Sequence, residues 1–190
     1  MLNLAYSIDD TVVINEEIYE VNLAFDNVLR LFDMLNDNEL TDADQITIGL
    51  EMFLGEPLEK SLDEQEEIFY KIFKSTVGQD TEDSKLVDIE GNPMPSMESS
   101  QDDKKKVYSI KQDAAYIYAS FYQDYGIDLI EAQGELHWYK FQALLAGLRQ
   151  DTKFKEVIEI RTMELPKGKG SAKHREEVKK AKEAYKLKLE

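Results

Sequence analysis

Phe25-Asp26-Asn27-Val28-Leu29-Arg30-Leu31-Phe32-Asp33-Met34-Leu35 is the stretch that decides the fold class. Phe25, Val28, Leu29, Phe32 and Leu35 recur at the spacing that gathers apolar side chains on one face of an α-helix. The polar Asn36-Asp37-Asn38 ends the pattern. A helix with one apolar face needs something to bury it against, and the flanking sequence supplies it.

Downstream, Thr41 is placed to cap a second helix whose inner face is Ile46, Leu50, Phe53 and Leu54, stopped by Gly55 and Pro57. Ser61 with Glu64 has capping-box spacing, in which each side chain satisfies an orphan backbone N–H. Phe69, Ile72, Phe73 and Val77 form the stripe of that third helix, and Gly78 closes it. Short helices with tight loops favour an antiparallel bundle. Upstream, Thr11–Ile14 and Ile18–Val21 are β-branched and aromatic runs around Asn15-Glu16-Glu17, the pattern of a hairpin. A lone hairpin is marginal in water, so this one is expected to pack on the helices.

Residues 79–107 change character, with Pro93, Pro95, several Ser and Asp, and Lys104-Lys105-Lys106. Too little apolar surface is available there to offset the ordering entropy, so the segment reads as a flexible linker, with a weak hairpin around Leu86–Asn92 as the alternative. A second helical block follows. Ser109 and Gln112 open a helix carrying Ala114, Ile117, Tyr118 and Phe121, and Asp124-Tyr125-Gly126 breaks it. Asp128 with Glu131 is read as the cap of the next helix, whose face is Trp138, Phe141, Leu145 and Leu148. Trp138 is therefore expected in the core of this second block. Asp151 is read as the cap of a helix bearing Phe154, Val157, Ile158 and Arg161. Beyond the break at 166–170, the last stretch is helical by propensity but poor in apolar anchors, which suggests an exposed or partner-dependent helix. The reading is a mainly α fold of two antiparallel helical blocks, with a small N-terminal β-hairpin and a flexible central linker. The boundaries are 1–78, 79–107, 108–166 and a basic helical tail at 167–190.

Charge separates these parts. The net charge is -16, yet residues 167–190 carry nine Lys or Arg against four Glu, and the rest holds -21. A body that acidic repels phosphate backbones, which argues against nucleic acid as its partner. No apolar run approaches the ~20 residues that span a bilayer, so no membrane role is expected. Met1–Asp10 has two acids and no Lys or Arg, unlike a signal or transit peptide. With no cysteine there is neither a disulfide framework nor a thiolate metal site, which fits a reducing cytoplasm.

Catalytic chemistry finds few residues to work with. The two histidines, His137 and His174, sit in no metal-ligand spacing, and His137 reads as part of a packed aromatic face. Asp124, Asp128 and Glu131 lack the EF-hand pattern, and Gly168 and Gly170 lack that of a phosphate loop. No catalytic, cofactor or metal residues are assigned, and the chain reads as a binding protein rather than an enzyme. Two groups are candidates for partner contact. Lys173, Arg175, Lys179, Lys180 and Lys182 form either a solvated helix face, a docking arm for an acidic protein surface, or a phosphate contact. Tyr116, Tyr122 and Tyr125, with Tyr118, offer apolar bodies with polar tips, suited to an interface or to a half-exposed packing face.

Four segments carry a resemblance: Phe25–Leu31, Asp113–Phe121, Tyr125–Leu129 together with Leu136–Phe141, and Ile160–Pro166. The chain resembles a family of small proteins of phages and prophages of Gram-positive bacteria, encoded between the major tail protein and the tape-measure protein. The resemblance implies a cytoplasmic tail-assembly factor of the infected host, acting as a chaperone on the tape-measure or tail-tube protein. A structural tail or connector component retained in the virion is the alternative, and nucleic-acid binding through the basic tail a second. Homo-oligomerisation stays open.

Overall fold

The computed structural model describes residues 3–77, 107–166 and 172–188, so the expected linker and the Leu86–Asn92 hairpin lie outside the described residues. The protein is mainly helical, with a two-stranded antiparallel N-terminal hairpin and seven helices among the described residues. It divides into two compact units, residues 3–77 with 132–143, and residues 107–131 with 144–166 and 172–188.

The first unit begins with β1 (Thr11–Ile14) and β2 (Glu17–Glu20), paired Thr11 to Glu20 and Ile14 to Glu17. The turn is two residues, one shorter than the sequence suggests. Asn15 and Glu16 both have positive φ, 50° and 70°, the backbone a tight hairpin needs to match strand twist. Alternation sends Ile14 and Tyr19 into the core and leaves Val13 and Ile18 outside. Helices α1 (Phe25–Leu35), α2 (Asp42–Leu54) and α3 (Leu62–Thr76) follow at the expected places. Thr41 Oγ1 accepts from Asp44 N–H, while the Glu64 carboxylate accepts from Ser61 N–H, so each helix start is satisfied locally. Gly55 ends α2 with φ 77°.

Val28, Leu31, Leu50, Phe53, Ile68, Phe69 and Ile72 are buried in this unit. Asn27 is buried among them because its amide donates to Asn22 O and Met52 O, tying α1 to the end of α2. Gly49 lets α2 and α3 approach closely: a Cβ there would lie 2.5 Å from Phe69 Cε2.

Trp138 is buried, as expected, but in the first unit rather than in the second block. Its ring centroid lies 6.0 Å from that of Phe32 and 5.7 Å from that of Phe141, and Phe141 stacks on Phe25 at 4.9 Å. The helix expected to run on from Asp128 also starts later. Residues 129–136 are turns, and α5 spans Trp138–Ala146. Backbone pairing is the reason. Phe25 N–H donates to Leu136 O and Trp138 N–H to Leu23 O, so residues 136–138 form a bridge instead of a helical turn. Gly134, with φ 77°, turns the chain into that bridge.

The second unit contains α4 (Ala114–Tyr125), α6 (Lys153–Thr162) and α7 (Ala172–Ala184). Its core includes Ile117, Phe121, Leu145, Leu148, Phe154, Val157 and Val178. The Ser109 turn forms, with Gln112 N–H on Ser109 Oγ at 3.3 Å, but the helix starts only after Asp113. Asp113 is held there by two 2.7 Å bonds from Arg161. Thr152, not Asp151, occupies the cap position of α6.

Candidate protein-binding surfaces

The tyrosines of α4 divide by helical position. Tyr116 is half-buried with its ring 5.9 Å from that of Tyr185, and Tyr125 donates its hydroxyl to Leu144 O at 2.9 Å while packing on Phe121. Both rings are thus used inside the unit. Tyr122 is the one that faces outward, 59% exposed. Tyr118, one turn earlier, donates to Asp128 Oδ2 at 2.8 Å, and this bond to a carboxylate raises its phenol pKa. The other Asp128 oxygen accepts from Ile130 N–H, and the Ile130 side chain is exposed. Tyr118 and Tyr122, one turn apart on α4, give this helix an aromatic surface with the Asp128 carboxylate at its edge. Sequence reading missed Ile130, because it placed this residue inside a helix. The Asp128 turn signal itself was present: a short acceptor two residues before the N–H it binds.

The basic tail also divides. Arg175 donates twice to Pro166 O, at 3.1 and 3.0 Å, and Lys182 donates to Arg161 O at 3.0 Å. Tyr185 stacks beneath Lys153, with Nζ 4.8 Å from the ring centroid, and its carbonyl accepts from Arg161 Nε. Gln112 bonds both the N–H and the C=O of Lys188. Helix α7 is therefore docked on α6 rather than exposed, which corrects the expectation from its sparse apolar residues. Polar anchors on its own unit replace the missing hydrophobic stripe. Lys173, Lys179 and Lys180 remain at the exposed surface. The sequence offered no signal that Arg161 would be the anchor, since its partners lie 48 residues upstream and 24 downstream.

His137, in the first unit, is buried and oriented. Its Nδ1 accepts from Tyr139 N–H at 3.0 Å, so the neutral ring carries its proton on Nε2 and donates it to Asp10 Oδ1 at 2.9 Å. Burial holds its pKa below 6.5, with Asp10 pulling partly back. Asp10, Glu20, Asn22, Gly134 and Glu135 line an open cleft of about 430 Å³ beside it. Both ring nitrogens are engaged, and the ring serves to join the chain before β1 to the start of α5. Among the described residues, no three His, Cys, Asp or Glu side chains lie close enough to share a metal ion, and no helix is long and apolar enough to cross a membrane.

Comparison with known families adds the decisive observation. The family model described as Bacteriophage Gp15 protein matches residues 8–187. The chain belongs to that family. No curated protein and no solved structure matches it. The match covers both units of this Gp15-family protein, from the chain before the hairpin to the residues around Tyr185 that hold α7 in place. The family points to a structural or assembly-related phage protein.

Proposed function

We propose that this Gp15-family protein is a phage tail-assembly factor that binds the tape-measure protein as a chaperone during tail morphogenesis. Family membership sets the phage context, and the resemblance to proteins encoded beside the tape-measure gene supports the partner. The observation that favours protein binding is the exposure of Tyr122, one turn from Tyr118, and of Ile130, two residues from the Asp128 that Tyr118 bonds, because exposed aromatic and aliphatic side chains are the residues that anchor interfaces. Exposed Lys173, Lys179 and Lys180 on the same unit are available to an acidic surface.

Co-expression with the tape-measure protein of the same phage tests this reading. Removing residues 167–190 would be a poor probe, since it deletes Val178 and Tyr185 from the second unit. Charge reversal of Lys173, Lys179 and Lys180 leaves the docking bonds intact. The wild-type chain is expected to keep the tape-measure protein soluble, Tyr122→Ser with Ile130→Ser to lose that effect, and the triple charge reversal to weaken it at low salt. If no form changes its solubility, the chaperone reading fails. Recovery of the chain in purified virions would instead favour the retained structural component.

A further inference from the structure

The outer face of the hairpin breaks the alternation that protects a solvated strand pair. The core side carries Ile14 and Tyr19, yet the water side carries Val13 and Ile18, 67% and 72% exposed. These two are cross-strand partners. Because Ile14 and Glu17 close a two-residue turn, Val13 and Ile18 occupy the wide pair, where side chains stand about 4.5–5.5 Å apart. They make one contiguous β-branched ridge in water.

Carboxylates border this ridge. Glu16 lies at the turn, Glu20 two residues past Ile18, and Asp9 just before β1 with its carboxylate on Thr11; all three are exposed. The side-chain and backbone bonds from Thr11 lower the Asp9 pKa, keeping it charged. Among the described residues, Lys60 pairs with Glu17, and Lys71 pairs with Glu67 while also donating to Asn15 at the turn. Residues 1–77 hold eighteen Asp or Glu against four Lys or Arg. A second copy of this face, a nucleic acid or an anionic bilayer would each meet like charge. Another copy's α7 supplies lysines but no apolar stripe, since its Val178 is already buried.

We propose that the hairpin's outer face, centred on Val13 and Ile18, docks a basic amphipathic helix of a partner protein. Apolar residues of that helix at i, i+3 and i+4 would cover the ridge, and its flanking Lys or Arg would reach Glu16, Glu20 and Asp9. Neither element suffices alone: the ridge fixes position, and the carboxylates choose the sign of the partner and speed its approach. The proposal holds whether or not that partner is a tape-measure protein, so a synthetic probe tests it separately from the assembly reading.

The probe is a labelled Leu/Lys peptide of about 18 residues with helical periodicity, compared with its Leu/Glu counterpart. Binding to the full chain is read by anisotropy, and its position by amide shifts. The Leu/Lys peptide is expected to bind, with shifts concentrated at residues 11–20, and to weaken as salt rises from about 0.05 M to about 0.5 M. Val13→Thr with Ile18→Thr, which keeps β-branching, should weaken it about tenfold, while Tyr122→Ser leaves it unchanged. Glu16→Gln with Glu20→Gln should flatten the salt dependence. No binding at roughly millimolar peptide, equal binding of the Leu/Glu peptide, an unaffected double threonine variant, or shifts outside the hairpin would each overturn the proposal. Should the threonine variant lose its hairpin, the wild-type shift map still decides.

Discussion

Trp138 and Arg161 show how far a single side chain reaches in this molecule. Trp138 is enclosed by Phe32 and Phe141, and its indole Nε1 is buried with no acceptor among the described residues. Truncation should therefore leave a large cavity, and Trp138→Ala is expected to cost about 3–5 kcal/mol in urea unfolding followed by circular dichroism. Trp138→Phe should cost clearly less, because it removes an unsatisfied donor along with part of the ring. A cost below about 1 kcal/mol for the alanine variant would mean that the ring is not enclosed. Arg161 is a different case. Its guanidinium meets both oxygens of the buried Asp113 and the carbonyls of Val107 and Tyr185. Arg161→Ala leaves a carboxylate without its countercharge and should cost about 3–5 kcal/mol. Arg161→Lys should recover little, since an ammonium cannot present the two-pronged donor set. Replacing the pair by Arg161→Met with Asp113→Leu should sit closer to wild type than either single loss, which separates the buried charge from the lost contacts.

At the scale of elements, what was legible in the sequence follows from how local each signal is. Helices α1 to α3 and the hairpin are set by periodicity and by caps within a few residues, so Thr41, Gly55 and Ser61 mark real boundaries. The 129–136 turns were not legible. Their cause is a bridge between residues 136–138 and residues 23–25, more than a hundred positions apart, and no local pattern encodes that pairing. The same distance moved Trp138 into the other unit. Of the surface residues, Tyr122 and the outward lysines were readable as candidates. That Tyr116, Tyr125, Arg175 and Lys182 are used internally depends on contacts such as Tyr116 with Tyr185, 69 positions away in the sequence. Helix α7 gives the element its own test. Val178 is its one buried apolar residue, and hydrogen bonds around Tyr185 and Arg161 supply much of the rest. Tyr185→Ala should bring the amides of α7 close to unprotected exchange while α4 and α6 stay protected. Unchanged protection of α7 would mean that Val178, the Tyr185 carbonyl and Lys182 suffice to dock it without the Tyr185 ring.

The whole molecule is an acidic body with a cationic helix folded onto one of its two units, and solution conditions should act on the units unequally. Acid enters the first unit through His137. Its pKa lies below 6.5 in the folded state because of burial, so the unfolded chain binds the proton first as pH falls. Stability is then full above about pH 6.5 and declines as pH drops below that value toward the folded pKa. His137→Gln should flatten this slope, and an identical slope in the variant would assign it to other groups. Salt should act in the opposite sense. The first unit carries a large excess of carboxylates, and most of them face solvent, where their mutual repulsion is felt across a Debye length of roughly 10 Å at 0.1 M. The sole tryptophan reports on this unit alone. Between about 0.02 M and about 0.5 M NaCl, the unfolding midpoint read by Trp138 fluorescence should therefore rise. The few ion pairs of the unit, such as Lys60 with Glu17 and Arg30 with Asp26, are partly exposed and contribute too little to reverse that trend. A falling midpoint would show that these pairs outweigh the net repulsion.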